Sequence, residues 1–134
     1  MIVLHHRVRY HEADAQGFLF NARYLELADV AMTEFFRRLG WNYDDLVSGG
    51  TDPSVVSATL AFTTPARFED VLDVDVECSR VGHSSFDLDM TVLRGETVIA
   101  SVSLVYVNVD PATVRSHALP ETVAAGLRGI TSPE

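Results

Sequence analysis

The segment from Ala22 to Leu39 constrains this chain most, because it reads as one helix that is apolar over most of its circumference. Leu25, Ala28, Met32, Phe35 and Leu39 recur at alternating steps of 3 and 4, the spacing that returns side chains to one helix face. Tyr24, Leu27 and Ala31 widen that stripe, and Val30 and Phe36 widen it again. Asn21 is a suitable N-cap. Glu26 and Asp29 lie toward the positive end of the helix dipole and Arg37 and Arg38 toward the negative end. Gly40 can take the left-handed conformation that ends a helix. At about 1.5 Å per residue the rod is roughly 27 Å long. A flat sheet covers only one face of such a rod, so a helix apolar on most sides calls for a sheet curved strongly around it.

The rest of the chain supplies strands. Residues 3–10 read as a strand and residues 11–20 as a loop, with Asp14 and Gly17 as turn formers. From residue 54 the period switches to two, and Ser54–Thr64 reads as a strand that ends before Pro65. Leu72, Val74, Val76 and Cys78 alternate with Asp73, Asp75, Glu77 and Ser79. Phe86, Leu88, Met90 and Val92 alternate with Asp87, Asp89 and Thr91. Arg94-Gly95-Glu96 makes a hairpin turn, and Val98–Val109 is apolar on both faces in places, as an interior strand is. Pro120 opens a short helix through Leu127. The order is strand, long helix, then four strands in antiparallel succession, an α+β class with about five strands. The 134 residues suit a single domain, 1–134, with only Thr131–Glu134 reading as a loose tail.

Charge and composition remove several chemistries. There are 19 acidic and 10 basic residues, a net charge of −9, and every basic residue is arginine. Without lysine there is no Schiff base and no P-loop, and the acidity argues against a nucleic-acid partner. Cys78 is the single cysteine, so neither an intrachain disulfide nor a thiolate zinc cluster can form. No apolar stretch is long enough for a signal peptide or a membrane span, so the expected place is the cytoplasm, without membrane insertion. His11-Glu12 begins a zinc-protease pattern that fails at Ala15, and the histidines His5, His6 and His11 read as solvated surface. No serine elbow and no dinucleotide fingerprint occur.

One segment carries possible chemistry, Tyr10 through Tyr24. Asp14 lies in a loop just ahead of a helix start, and Gly17 lets backbone approach a ligand. Phe18, Leu19 and Phe20 are an apolar run in a turning loop. Free N–H groups near Asn21 and Ala22 would face the same space, backed by the helix dipole. A carboxylate facing such donors suits acyl transfer. Asp14 and Gly17 as plain turn formers are the alternative. Glu12 is the backup carboxylate and by its position faces solvent, and Cys78 reads as core.

These residues resemble a known family. Asp14-x-x-Gly17 followed by Tyr24 and the long helix is similar to the hotdog-fold acyl-CoA thioesterases of the 4-hydroxybenzoyl-CoA type, including those encoded with the Tol-Pal system. Pro65-Ala66-Arg67-Phe68-Glu69-Asp70-Val71-Leu72 matches the family's Pro-Ala-Arg-x-x-Asp-x-Leu. Gly82-His83-Ser84-Ser85-Phe86, Val107-Asn108-Val109-Asp110-Pro111 and Ala118-Leu119-Pro120 follow in family order. The resemblance implies a hotdog fold, a central helix wrapped by a curved antiparallel sheet, with two chains paired edge to edge as a homodimer or homotetramer and sites at that interface. It implies hydrolysis of an aromatic or short- to medium-chain acyl-CoA, with Asp14 as nucleophile or general base and the backbone N–H of Asn21 as oxyanion donor. It implies no metal or other cofactor. By position, Gly17 and Phe18 border the site; Arg67, Arg80 and Arg115, at loops or strand ends, are candidates for the CoA phosphates or else solvated surface; Tyr24 borders the acyl pocket or is core; and Ser84 and Ser85 reach the site from a strand end or serve a turn. The position of Asn21 is usually His or Tyr in the family, so a titrating side chain is lost there while the backbone donor survives. A hotdog protein that binds an acyl-CoA or acyl-carrier-protein thioester without cleaving it is the alternative reading.

Overall fold

A computed structural model describes residues 1–129, and the expected tail Thr131–Glu134 lies outside the described residues. The chain runs β1 (Ile2–Arg7), a 3-10 turn (Tyr10–Glu12), α1 (Arg23–Leu39), α2 (Tyr43–Ser48), β2 (Pro53–Phe62), β3 (Val71–Val81), β4 (Ser85–Arg94), β5 (Thr97–Asp110), β6 (Arg115–Ser116) and α3 (Glu121–Arg128). The sheet order is β1-β3-β4-β5-β2, with the short β6 pairing β5. The expected α+β class and five long strands are present, and β5 lies inside the sheet as its two-sided apolar character predicts.

Several boundaries differ from expectation. The first strand stops at Arg7 rather than Tyr10, because Tyr10–Glu12 closes a 3-10 turn in which the Glu12 N–H donates to the Arg9 carbonyl. Helix α1 begins at Arg23, whose N–H donates to the Phe20 carbonyl, so Asn21 and Ala22 belong to the turn that leads in. Gly40 ends it as expected, at φ 107°. Its N–H donates to Arg37 and that of Trp41 reaches back to Phe36, the paired bonds of a glycine-terminated helix. Helix α2 was not anticipated; Asn42 caps it, accepting from the Asp45 N–H at 2.8 Å. Residues 115–116 were not anticipated as a strand either.

Contacts group the described residues into two compact units: Met1–Phe35 with Leu60–Val76 and Met90–Val102, and Phe36–Thr59 with Glu77–Asp89 and the described residues from Ser103 on. In the first unit Tyr24, Leu27, Ala28, Ala31 and Phe35 of α1 are buried, as are Leu72, Val74 and Val76 of β3 and Ile99, Ala100 and Val102 of β5. Strand β1 pairs antiparallel with β3, in register His5 with Asp73 and Arg7 with Val71. In the second unit Phe86 stands edge-on to Phe36 and stacks on Tyr106, with centroids 5.7 and 5.1 Å apart. The expectation that α1 is buried on more than one side is corrected within this single chain. Leu25 and Val30 are 40% and 48% exposed, although Leu25 shares its face with the buried Phe36 three turns on.

Candidate active site

The loop between β1 and α1 is a small backbone hairpin with Asp14 at its tip. Ala13 and Leu19 form an antiparallel bridge, the Asp14 N–H donates to the Phe18 carbonyl at 2.8 Å, and the Phe20 N–H donates to the Glu12 carbonyl at 2.9 Å. On its far side the Leu19 N–H donates to the Ala66 carbonyl, and Phe18 bridges to Arg67. The turn itself needs Gly17, which sits at φ 82° and gives its N–H to the Asp14 carbonyl.

Asp14 is held by one oxygen. Its Oδ1 accepts from the N–H of Gln16 at 2.9 Å and of Phe18 at 3.1 Å. Its Oδ2 has no partner among the described residues. The side chain is half-buried. With Oδ1 held by two loop amides the carboxylate plane is fixed, so the free oxygen keeps a defined direction. The N–H groups of Asn21 and Ala22, displaced from the helix by its late start, also lack acceptors among the described residues.

Two cavities share Asp14 as a wall. The first, about 190 Å³, is lined by Asp14, Gln16, Phe18, Leu19, Asn21 and Tyr24, and closed by Phe62 through Pro65. Tyr24 is 3% exposed and meets the Phe62 ring at 5.4 Å; burial pushes its phenol above the ordinary range. The second cavity, about 290 Å³, is lined by Tyr10, Ala13, Asp14, Gly17 and Phe68. Tyr10 and Phe68 stand edge-to-face at 5.8 Å. A β-carbon built on Gly17 meets nothing within 4 Å, so that wall is open space.

The structure thus gathers Asp14, Phe18, Asn21 and Tyr24 on one cavity and Gly17 on its neighbour. Arg67 sits beside them, its guanidinium 4.8 Å above the Phe18 ring and near enough for its charge to act on Asp70 without a close ion pair between them. Asp70 explains the Pro-Ala-Arg-x-x-Asp run. It accepts from the Arg67 N–H and from Arg94, both at 2.8 Å, across a turn in which Glu69 takes φ 76°. Ser84 and Ser85 belong to the second unit, where the Ser84 carbonyl accepts from the Asn108 N–H and Ser85 Oγ accepts from Arg80. Arg80 also pairs with Asp87 at 2.8 Å, which leaves it poorly placed to meet a phosphate. Cys78 is core, its thiol pushed up to about 11 by burial.

Sequence reasoning named Glu12 as the backup carboxylate but misjudged its surroundings. It is buried rather than solvent-facing, with Oε1 accepting from the Arg9 N–H at 2.7 Å and from His6 Nε2 at 2.8 Å. Burial alone would raise its pKa; the Arg9 N–H and His6 outweigh that and hold it below the ordinary range. His6 is therefore a hydrogen-bond partner of Glu12, not a solvated histidine. Thr63 and Thr64 were missed, since nothing local marks a strand-end threonine as a cavity wall. Among the described residues no group of three or more His, Cys, Asp or Glu side chains is arranged to hold a metal ion, and no helix is long and apolar enough to cross a membrane.

Residues 8–127 match the profile of the thioesterase-like superfamily. The acyl-CoA thioester hydrolase YbgC of Escherichia coli is 27% identical over 89% of this chain and 90% of its own. A 1,4-dihydroxy-2-naphthoyl-CoA hydrolase of Synechococcus is 30% identical over 87% of this chain and 82% of its own. Among solved structures, a gentisyl-coenzyme A thioesterase superposes with a TM-score of 0.83 at 26% identity, over 90% of this chain and 97% of that one. A protein from Aquifex aeolicus superposes with a TM-score of 0.87 at 22% identity, over 95% and 98% of the two chains. The fold is the α+β hotdog fold.

Proposed function

The chain belongs to the thioesterase-like superfamily, and on that premise we propose that it hydrolyses the thioester bond of an acyl-CoA with Asp14 as the reacting carboxylate. One observation carries this reading. Asp14 holds Oδ1 on two loop amides and leaves Oδ2 free, on the wall of a cavity shared with Asn21, whose N–H is unpaired. The thioester carbonyl oxygen accepts from that N–H, which stabilises the developing oxyanion by about 3 kcal/mol. Asp14 Oδ2 then either attacks the carbonyl carbon, expelling the CoA thiolate and leaving a mixed anhydride that water opens, or takes a proton from the attacking water. Single-turnover hydrolysis in heavy-oxygen water with rapid-quench mass analysis of the protein chooses between them: label in the Asp14 carboxylate or an acylated protein means attack, and the absence of both means general base.

The cavities meeting at Asp14 suit the two arms of a thioester. Gln16, Thr63 and Thr64 offer the first cavity amide and hydroxyl groups for the pantetheine chain. Tyr10, Ala13 and Phe68 offer the second an apolar wall for the acyl group, aromatic or short- to medium-chain. Two similar proteins are named for aromatic acyl-CoA substrates, which supports a ring there. Gly17, Phe18 and Tyr24 are the proposed substrate contacts and Arg67 the proposed phosphate contact; Ser84 and Ser85 keep that role on their strand-end position alone. Strand β2 ends the sheet with Val55, Val56 and Phe62 44%, 60% and 51% exposed, which supports a homodimer or homotetramer that covers this edge. The reading is of one cytoplasmic hotdog domain, 1–134.

Thiol release from a panel of acyl-CoAs tests the activity. Release from at least one aryl, short- or medium-chain thioester is expected. Binding without release by the purified protein would favour the non-catalytic thioester binder, which the replacement of a titrating side chain by Asn21 also favours.

A further inference from the structure

Two residues before Asp14, Glu12 is buried, hydrogen-bonded to His6 and outside the two cavities that Asp14 lines. We infer that Glu12 is a positioning residue, the bolt that ties the Asp14 loop to the sheet through His6. This rests on the reading of Asp14 as the reacting carboxylate.

The connections can be followed atom by atom within the first unit. His6 lies on β1, in register with Leu72 of β3. His6 Nε2–H donates to Glu12 Oε1 at 2.8 Å, and the Arg9 N–H donates to the same oxygen at 2.7 Å. The Glu12 carbonyl in turn accepts from the Phe20 N–H, which closes the base of the hairpin. One residue further in, Ala13 bridges Leu19, and beyond that lies the Asp14 turn with its Gln16 and Phe18 donors. The hairpin has a second tether, Leu19 to the Ala66 carbonyl, on the other side. Removing Glu12 therefore frees the β1 side only, and the turn can swing on Ala66. A misplacement of about 1 Å at a reacting group costs on the order of 100-fold in rate, so a bolt outside the cavity can act on turnover without touching substrate. Arg23 adds a weaker brace, reaching the His11 carbonyl at 3.4 Å.

Glu12 is half of a pair whose other half is on the sheet, so the variants are chosen to separate positioning from folding. Glu12→Ala removes the acceptor. Glu12→Gln keeps an oxygen for Arg9 and His6 and rescues if geometry is what matters. His6→Ala removes the sheet anchor alone. Amide hydrogen exchange is read at Gln16 and Phe18, the two donors to Asp14, against amides of β3. In Glu12→Ala and His6→Ala the Gln16 and Phe18 amides are expected to exchange at least about 10-fold faster while β3 amides hold. In Glu12→Gln they stay near wild type. With an acyl-CoA that the wild type hydrolyses, kcat falls at least about 10-fold in Glu12→Ala with KM little changed. Exchange that rises equally in β3, or loop amides unmoved in Glu12→Ala, would overturn the inference. A wild-type protein silent toward every acyl-CoA would instead overturn the proposed function, and the exchange experiment would still decide whether Glu12 holds the loop.

Discussion

Asp14 and Asn108 are both polar side chains that gather backbone around them, and they do so to opposite ends. Asn108 is fully buried in the second unit. Its Nδ2 donates to the Gly50 and Ala118 carbonyls, its Oδ1 accepts from the Asp52 N–H, its own N–H reaches Ser84 and its carbonyl takes the His117 N–H. Asp14 is half-buried and also takes two backbone donors, but both on one oxygen. A fully satisfied buried group locks structure, because any disturbance leaves donors orphaned. A group held by one atom with another left open is oriented and still has a valence to offer. The knot around Asn108 spends everything on the fold; the turn around Asp14 keeps something back for a ligand.

Substitutions can break this contrast. Asp14→Asn is expected to lower kcat at least about 100-fold while the melting temperature stays within a few degrees, since Asn keeps an oxygen for the Gln16 and Phe18 amides. Activity near wild type would remove Asp14 from the chemistry. Asn21→Pro deletes the proposed oxyanion donor and should cost about 100-fold in kcat, with Asn21→Ala, which retains the N–H, as the control for side-chain loss. If the two variants behave alike, the donor lies elsewhere.

Asn108→Ala should show the converse pattern. It is expected to destabilise by about 3 kcal/mol in chemical denaturation, because the Gly50 and Ala118 carbonyls and the Asp52 N–H lose their partner. A loss below about 0.5 kcal/mol, within the range of ordinary surface substitutions, would mean the knot is dispensable.

The smallest effect is expected at Asp70, which takes the Arg67 N–H and the Arg94 guanidinium on one oxygen, Oδ2, beside the Asp14 loop. Burial alone would raise its pKa, yet the Arg67 N–H and the Arg94 guanidinium hold it below the ordinary 3.8. A carboxyl depressed on folding contributes stability that is present above its unfolded value and lost as pH falls through its folded one. Asp70→Asn should therefore flatten the stability profile below about pH 4 and leave its slope at neutral pH unchanged. An identical acid limb in the variant would show that the pairing with Arg94 carries no weight.

Much of this was legible beforehand. The 3,4 spacing in α1, the two-residue period of β3 and β4, and the glycine stop at Gly40 are local rules, and each reappears in the structure. Asp14 and Gly17 were legible as a turn for the same reason. Glu12 was not. Its burial depends on His6 arriving from β1 and on Arg9 folding back in a 3-10 turn, and no spacing rule pairs those residues. Asn21 misled in a small way: a good capping residue stands at the expected place, but the Phe20 carbonyl takes the Arg23 N–H and the helix begins later. Leu25 and Val30 misled in a larger one, since apolar periodicity marks a face without saying whether the same chain covers it.

The sequence by itself determined the periods, the stops and the presence of one carboxylate ahead of a buried helix, because those depend on backbone sterics and on side chains a few residues apart. Tertiary structure alone decided which carboxylate is buried against a histidine of the sheet and which stands on a cavity wall. Glu12 and Asp14 are the same chemistry two residues apart, and what separates them is the partner that the folded sheet brings to one and withholds from the other.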